Sequence, residues 1–265
     1  MSILRRATRF RELPVLLGLV VVYLGTGFLN PIFFSVSILN DIFFGVAIVA
    51  TLAIAQTFVI VMRHIDLSVG SVVGLTSFLI GDLSSRGFSL LAVLFAALLV
   101  GATVGAVNGF LVGYLGLPSL VVTLATLYIV RGIFNEVGKG QTIVESMVPK
   151  ELNWLGLNRL FGISYLFVIV VVLMLIAGVL MQRTRAARDL YAIGSNPSAA
   201  GLVGIPVKLR VLAAFTATGA ISGLAGAVML ARFNSSSTQS GLGLELLVVA
   251  ACVVGGVSIA GGTGS

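Results

Sequence analysis

Charge is scarce in this chain: Asp, Glu, Lys and Arg make up 9% of its 265 residues, against about 25% in an ordinary soluble domain. With 58% of the residues hydrophobic, no soluble core could hide the apolar surface. Cysteine occurs once, as Cys252, which excludes an intrachain disulfide and a cysteine metal cluster. Histidine also occurs once, as His64, which excludes a multi-histidine metal site or a histidine relay. No Gly-x-x-x-x-Gly-Lys-Ser/Thr is found; Gly138-Lys139 is followed by Gly140 and lacks the upstream glycine. The chain therefore carries no phosphate loop for ATP. Gly-x-Ser-x-Gly, His-Glu-x-x-His and paired carboxylates on one helix are missing too, so neither a catalytic set nor a metal site is expected. The net charge of +7 does not point to nucleic acid, because the basic residues are spread between apolar segments rather than gathered into a patch.

What the chain has is long apolar sequence and 32 glycines, the composition of helices packed in lipid. The expected fold is an all-α polytopic membrane bundle. A span needs about 20 apolar residues, and eight segments qualify, near 13–30, 40–62, 67–82, 89–113, 119–134, 163–182, 210–231 and 244–260. The third and fifth are short enough to be half-helices. Arg5, Arg6, Arg9 and Arg11 precede the first apolar run as in a secretory signal, but Tyr23, Leu24 and Phe28 offer no small-x-small cleavage site, so this run is an uncleaved helix.

If the amino terminus is cytoplasmic, the inside segments hold Arg5, Arg6, Arg9, Arg11, Arg63, Arg183, Arg185, Arg188, Lys208 and Arg210, and the outside holds Arg86, Lys139, Lys150, Arg159 and Arg232. That is ten basic residues against five, the asymmetry expected of the cytoplasmic side. The outside interval 135–162, with Trp154, is expected to form an interfacial helix. The inside interval 183–210 differs in kind: from Tyr191 to Gly204 it is small and weakly charged, with Gly194, Asn196-Pro197, Ala199, Ala200, Gly201 and Gly204, as if shaped to dock. Gly194 and Gly204 can supply permissive backbone angles at its ends.

Several polar residues stand out. Gly101, Gly105, Gly109 and Gly113 recur every four residues and predict a ridge for close helix packing, with Asn108 beside them. Asp66 and Ser68 break an apolar stretch where a helix restarts; capping of its first turn and a place on the transport route are both open to them. Gln56, Asn108, Thr123 and Thr126 are scattered polar groups that suit the passage of an uncharged polyol. Arg131, inside the fifth span, is expected to snorkel to the interface.

The second span ends at Arg63 before an acidic residue and a Val/Gly-rich helix; the seventh ends at Arg232 before Glu245 and another. Units of five spans related this way would be inverted repeats. The chain then stops after the third member of its second unit, at Gly261-Gly262-Thr263-Gly264-Ser265. Residues 1–265 are thus expected to be one transmembrane domain lacking two further spans, about ten in all.

Three ordered motifs carry a family resemblance. Ile65-Asp66-Leu67-Ser68-Val69-Gly70-Ser71 resembles the "GIDLSVGS" segment of permease subunits of ribose/xylose/arabinose-type ABC importers, a group that also includes rhamnose and autoinducer-2 importers. Tyr191-Ala192-Ile193-Gly194-Ser195-Asn196-Pro197, with Ala199-Ala200 and Gly204-Ile205, is similar to their "YAIGGNPEAARLSGI" loop, with Ser198 and Gly201 where Glu and Arg are common. Gly255-Gly256-Val257-Ser258 and the terminal glycines resemble a late "GG.SL.GG.GS" motif. The resemblance implies a multi-pass permease in the bacterial inner membrane, paired with a second copy or paralogue and importing a monosaccharide, related polyol or autoinducer-2-type furanosyl signal. It implies ATPase subunits that bind ATP in place of any cofactor on this chain, docked at the loop 183–210, and an extracytoplasmic sugar-binding protein. An ion-coupled secondary sugar transporter is the competing expectation; it normally shows carboxylates within its spans, whereas Asp66 lies at a span boundary.

Overall fold

The computed structural model describes residues 13 to 264; Arg5, Arg6, Arg9, Arg11 and Ser265 lie outside the described residues. Helix α1 covers Leu13–Leu29 and, after a 3-10 turn at Pro31–Phe34, α2 covers Val36–Ile60. Then come α3 (Val69–Ser85), α4 (Leu90–Gly113) and α5 (Ser119–Gly138). The interval that follows contains the short α6 (Lys150–Leu157) and a two-residue antiparallel hairpin, β1 (Arg159–Leu160) with β2 (Ile163–Ser164), which leads into α7 (Tyr165–Arg183). Two short helices, α8 (Arg185–Ser195) and α9 (Pro197–Leu202), precede α10 (Val207–Phe233) and α11 (Leu244–Val254).

Five helices, α2, α4, α5, α7 and α10, are long and apolar enough to cross a membrane, while α1, α3 and α11 are apolar but shorter. Two expected boundaries change. The fifth segment runs to Gly138 and reaches 20 residues, so it is no half-helix. The eighth was expected to reach residue 260 but stops at Val254, because Gly255 and Gly256, the latter at φ +98°, turn the chain out of the helix. At 11 residues and 1.5 Å per residue, α11 is about 16 Å long, roughly half a bilayer core.

Helix α10 is the axis of the bundle, packed on α2, α3 and α4. The α4 glycines set one of these contacts. A methyl group on Gly101 or Gly105 would overlap the carbonyl oxygens of Gly219 and Phe215, and on Gly109 and Gly113 it would lie 2.8 Å from Leu212 Cα and 2.9 Å from the Lys208 oxygen. Backbone therefore meets backbone along four turns, the close approach that dispersion-driven packing in lipid rewards. On the next face Arg232 bonds Asp41, Thr218 Oγ1 donates to the Ala55 carbonyl at 2.9 Å, and Phe215 lies 5.9 Å from the His64 ring. Residue numbers rise on α2 as they fall on α10, so these two helices run antiparallel.

The helix after each of them crosses to the other: α3 packs on α10, with Gly226 against Thr76 and Ser77, and α11 packs on α2, with Cys252 Sγ 3.5 Å from the Ala53 carbonyl. The starts of α3 and α11 meet where Gly70 and Gly241 leave no room for each other's side chains. An antiparallel pair with exchanged followers is the geometry an inverted repeat requires.

Gly105→Leu should therefore lower the thermal midpoint of the purified protein in detergent, by overpacking that costs about 1–3 kcal/mol. Gly132→Leu, at an exposed α5 position with nothing within 4 Å of an added Cβ, should not. Equal midpoints for the two variants would refute the α4–α10 contact as a determinant of the fold.

Candidate functional site

The site begins where α2 ends. After Ile60 the chain turns through Val61–Arg63, Arg63 taking the left-handed conformation at φ +68°, and the His64 N–H reaches back to the Val59 carbonyl at 3.0 Å. Residues 64–67 then run without regular structure beside α2, which brings Asp66 level with Gln56. Non-helical backbone inside an apolar bundle must find partners outside itself, since an unpaired peptide group there costs several kcal/mol. Side chains provide them. Oriented by its partners, the Gln56 amide accepts from the Asp66 N–H at 3.0 Å and donates to the Asp66 carbonyl at 3.3 Å. Ser119 Oγ accepts from the Ile65 N–H at 3.3 Å, and Thr123 Oγ1 lies 3.2 Å from the Ile65 carbonyl.

From Asp66 a side-chain network runs across to α4 and α5. Asp66 Oδ1 accepts from the Ser68 N–H at 2.9 Å and the Ser68 hydroxyl at 2.6 Å. Ser68 Oγ accepts from Asn108 Nδ2 at 3.0 Å, and Asn108 Oδ1 accepts from Thr126 Oγ1 at 2.6 Å. The structure thus gathers Gln56, Asp66, Ser68, Asn108 and Thr126, named from sequence as pathway candidates, into one network spanning α2, α4 and α5. All five are buried. Of the two capping candidates, Ser68 stands at the start of α3 without a side-chain cap bond; Asp66 takes the amide instead. Asn108 stands beside the glycine ridge, seven residues on from Gly101, so α4 packs on α10 and reaches the start of α3 at once.

The interval 183–210 holds α8 and α9. Thr184 caps α8 by accepting from the Ala187 N–H at 3.2 Å, and Asn196 caps α9 by accepting from Ala199 at 3.0 Å. Arg210 pairs with Asp189 at 2.6 Å, tying α8 to the base of α10. Gly204, at φ +83°, makes the turn toward α10 as expected of a permissive residue. Gly194 does not: it is helical, and its lack of a side chain lets the Val61 carbonyl sit against it. Ala199 is exposed, but Ala200 is 3% exposed and packs into the protein's own core, so it is not a surface group. The most exposed large apolar residues here are Leu202 at 90% and Val203 at 78%. Sequence reasoning passed over this pair, although it is the one large apolar step in an otherwise small and polar stretch.

At the opposite end of α10 the segment 234–243 folds over α3 and α5. The Ile143 and Ser236 backbones bridge, and the Ser77 and Ser236 hydroxyls lie 2.6 Å apart. Arg131 does not snorkel to the interface. Its Nη1 donates to the carbonyls of Thr238 at 3.0 Å and Ser240 at 2.7 Å.

Thr126→Val should leave Asn108 Oδ1 buried without its donor and cost about 1–3 kcal/mol of stability. Thr103→Val, whose hydroxyl sits at an exposed position on α4 and bonds only the Leu99 carbonyl, should be nearly silent. A double-mutant cycle of Thr126→Val with Asn108→Ala, read by thermal unfolding, should give a coupling of about 0.5–3 kcal/mol, and additive effects would break the network into independent groups.

Comparison with known proteins places this geometry. Residues 38–263 match the family model described as "Branched-chain amino acid transport system / permease component". The chain is 35% identical over 255 residues to the autoinducer 2 import system permease protein LsrC of Escherichia coli O9:H4 (strain HS), covering 96% of this chain and 74% of the relative. It is 37% identical to the protein of that name from Enterobacter sp. (strain 638) and 38% to that from Klebsiella pneumoniae (strain ATCC 700721 / MGH 78578), with the same coverage. No solved structure matches. By a family match over most of its length, and by relatives of which it covers about three quarters, the chain belongs to this family of membrane permease components of ABC importers.

Proposed function

We propose that this permease carries a monosaccharide, a related small polyol or an autoinducer-2-type furanosyl signal, the last in keeping with the autoinducer 2 import that its relatives are named for, and that α8 and α9 form the platform on which an ATPase subunit docks. One observation carries the docking role. Leu202 and Val203 project from a short helix pair that is otherwise pinned to the bundle by the Asp189–Arg210 ion pair and the buried Ala200. An exposed apolar step on a braced support is what a partner cleft can grip without reordering the loop. The chain has no phosphate loop, so ATP binding falls to that partner. A second permease copy and an extracytoplasmic binding protein complete the expected assembly.

The docking face is assigned to the cytoplasm. Arg63, Arg183, Arg185, Arg188, Lys208 and Arg210 lie at the α8–α9 end of the helices, while Arg86, Lys139, Lys150, Arg159 and Arg232 lie at the other. Basic residues concentrate on the cytoplasmic side of short connections. The polar groups nearest the bundle centre are amides and hydroxyls with one carboxylate, Asp66, whose Oδ1 is bonded to Ser68 while Oδ2 is buried without a partner, and this mostly neutral lining suits an uncharged substrate.

Two outcomes are expected. Leu202→Asp with Val203→Asp should leave the thermal midpoint of the permease unchanged while weakening co-purification of the ATPase subunit by about thirtyfold, the loss of a central apolar anchor of about 2 kcal/mol. Unchanged co-purification would remove the docking role. A cysteine at Ser198 should react with impermeant maleimide only from the cytoplasmic side, and one at Lys150 only from outside; reaction of both from one face would overturn the orientation.

A further inference from the structure

We propose that Arg63 is the positioning residue that carries movement of α8 and α9 into the buried segment 64–68. The inference rests on the docking role of α8 and α9 and says how docking reaches the interior. The Arg63 side chain lies across the junction between the two short helices: Nε donates to the Gly194 carbonyl at 2.5 Å and Nη2 to the Ser195 carbonyl at 2.7 Å. These are carbonyls of the last turn of α8, which have no partner within their own helix and suit a guanidinium. The next residue, Asn196, caps α9, so the guanidinium is attached at the hinge between the pair.

The knot is tightened from two other directions. Gly194 lies so close to the Val61 carbonyl that no side chain fits between them, and the Gly262 N–H donates to the same carbonyl at 2.9 Å. Gly261 lies against the Arg63 side chain, and Tyr191 Oη donates to the Gly264 carbonyl at 2.9 Å. The turn 61–63, the α8–α9 junction and the stretch 258–264 therefore form one body. Arg63 also holds a left-handed backbone conformation, unfavourable for a residue with a Cβ, which persists only where the surroundings impose it.

From that body the chain has little slack. Asp66 is three residues further on, its backbone held by Gln56 and its carboxylate by Ser68, which leads through Asn108 to Thr126. A displacement of α8 and α9 must then either break two charge-assisted hydrogen bonds or draw residues 64–68 along. The ion pair from these helices, Asp189 to Arg210, ends on α10 and bypasses the segment.

The test uses the permease reconstituted with its ATPase subunit, in a Cys252→Ser background with a single cysteine at Leu67. The probe is the rate of maleimide labelling of that cysteine, nucleotide-free and with ATP plus vanadate. With the native Arg63 the two rates should differ. Arg63→Met should abolish the difference while the ATPase subunit still co-purifies, and Arg63→Lys, which reaches one carbonyl at a time, should retain part of it. Arg63→Gly removes the side chain and relieves the backbone, so it keeps the test valid if Arg63→Met folds poorly; it too should lose the difference. A nucleotide-dependent difference that persists in Arg63→Gly overturns the role of Arg63, as does its absence from the native protein. Failure of the ATPase subunit to associate with the native permease would instead sink the docking role, and this inference with it.

Discussion

The constraint on which this structure turns is the satisfaction of four non-helical residues, 64–67, inside an apolar bundle. A helix supplies its own hydrogen bonds and crosses lipid unaided; an irregular stretch does not. Residues 64–67 are tolerated because Gln56, Ser119 and Thr123 stand where their peptide groups need partners. Much else follows from that requirement. The second and fifth helices must lie on either side of the segment, α4 must come close enough for Asn108 to reach Ser68, and α3 must begin well inside the protein. The polar residues are thus a consequence of where the backbone goes, and they also connect α2 across to α4 and α5.

Close approach is secured by subtraction. Gly101, Gly105, Gly109 and Gly113 remove side chains where α4 meets α10, and Gly219 and Gly223 answer them. Water provides no driving force between helices in lipid, so proximity has to come from small residues and the dispersion contacts they permit. The arrangement leaves the large apolar side chains to face outward: α7 exposes Ile169, Leu173, Leu175 and Val179, and α4 exposes Leu91, Phe95 and Leu99. On α4, small inside and large outside inverts the pattern of a helix in a soluble protein, and it lets one segment be both glycine-rich and strongly hydrophobic.

How much of this could be read from the residues depended on whether the cause was local. Helix periodicity, the glycine ridge and the helix restart at residue 69 are properties of neighbours in sequence, and they were legible. The pairing of Arg63 with Gly194 and Ser195 spans 131 and 132 residues and follows no pattern in the letters. Arg131 misled for a related reason: an arginine near a span end normally reaches the interface, but here two carbonyls of a distant loop lie nearer. The direction in which Ala200 faces was also beyond the sequence, because a six-residue helix of small side chains has no apolar stripe to reveal its buried side. The eighth span was overestimated because Val257, Ile259 and Ala260 read as apolar continuation, whereas Gly255 and Gly256 end the helix first.

The two ends of the bundle solve one problem with one device. At the α8–α9 end Arg63 donates to carbonyls of the α8 terminus; at the other, Arg131 donates to carbonyls of the segment before α11. In each case a guanidinium binds backbone oxygens rather than a carboxylate, so the attachment holds a chain segment without the directional lock of an ion pair. Such contacts are strong when made and can be exchanged for water at modest cost near a surface. The helices that begin beside these clasps, α3 and α11, meet at Gly70 and Gly241 with no side chain between them. A shift of either start is therefore felt directly by the other, through backbone rather than through flexible side chains. A contact of this kind couples the starts of α3 and α11, and with them the segments held by Arg63 and Arg131.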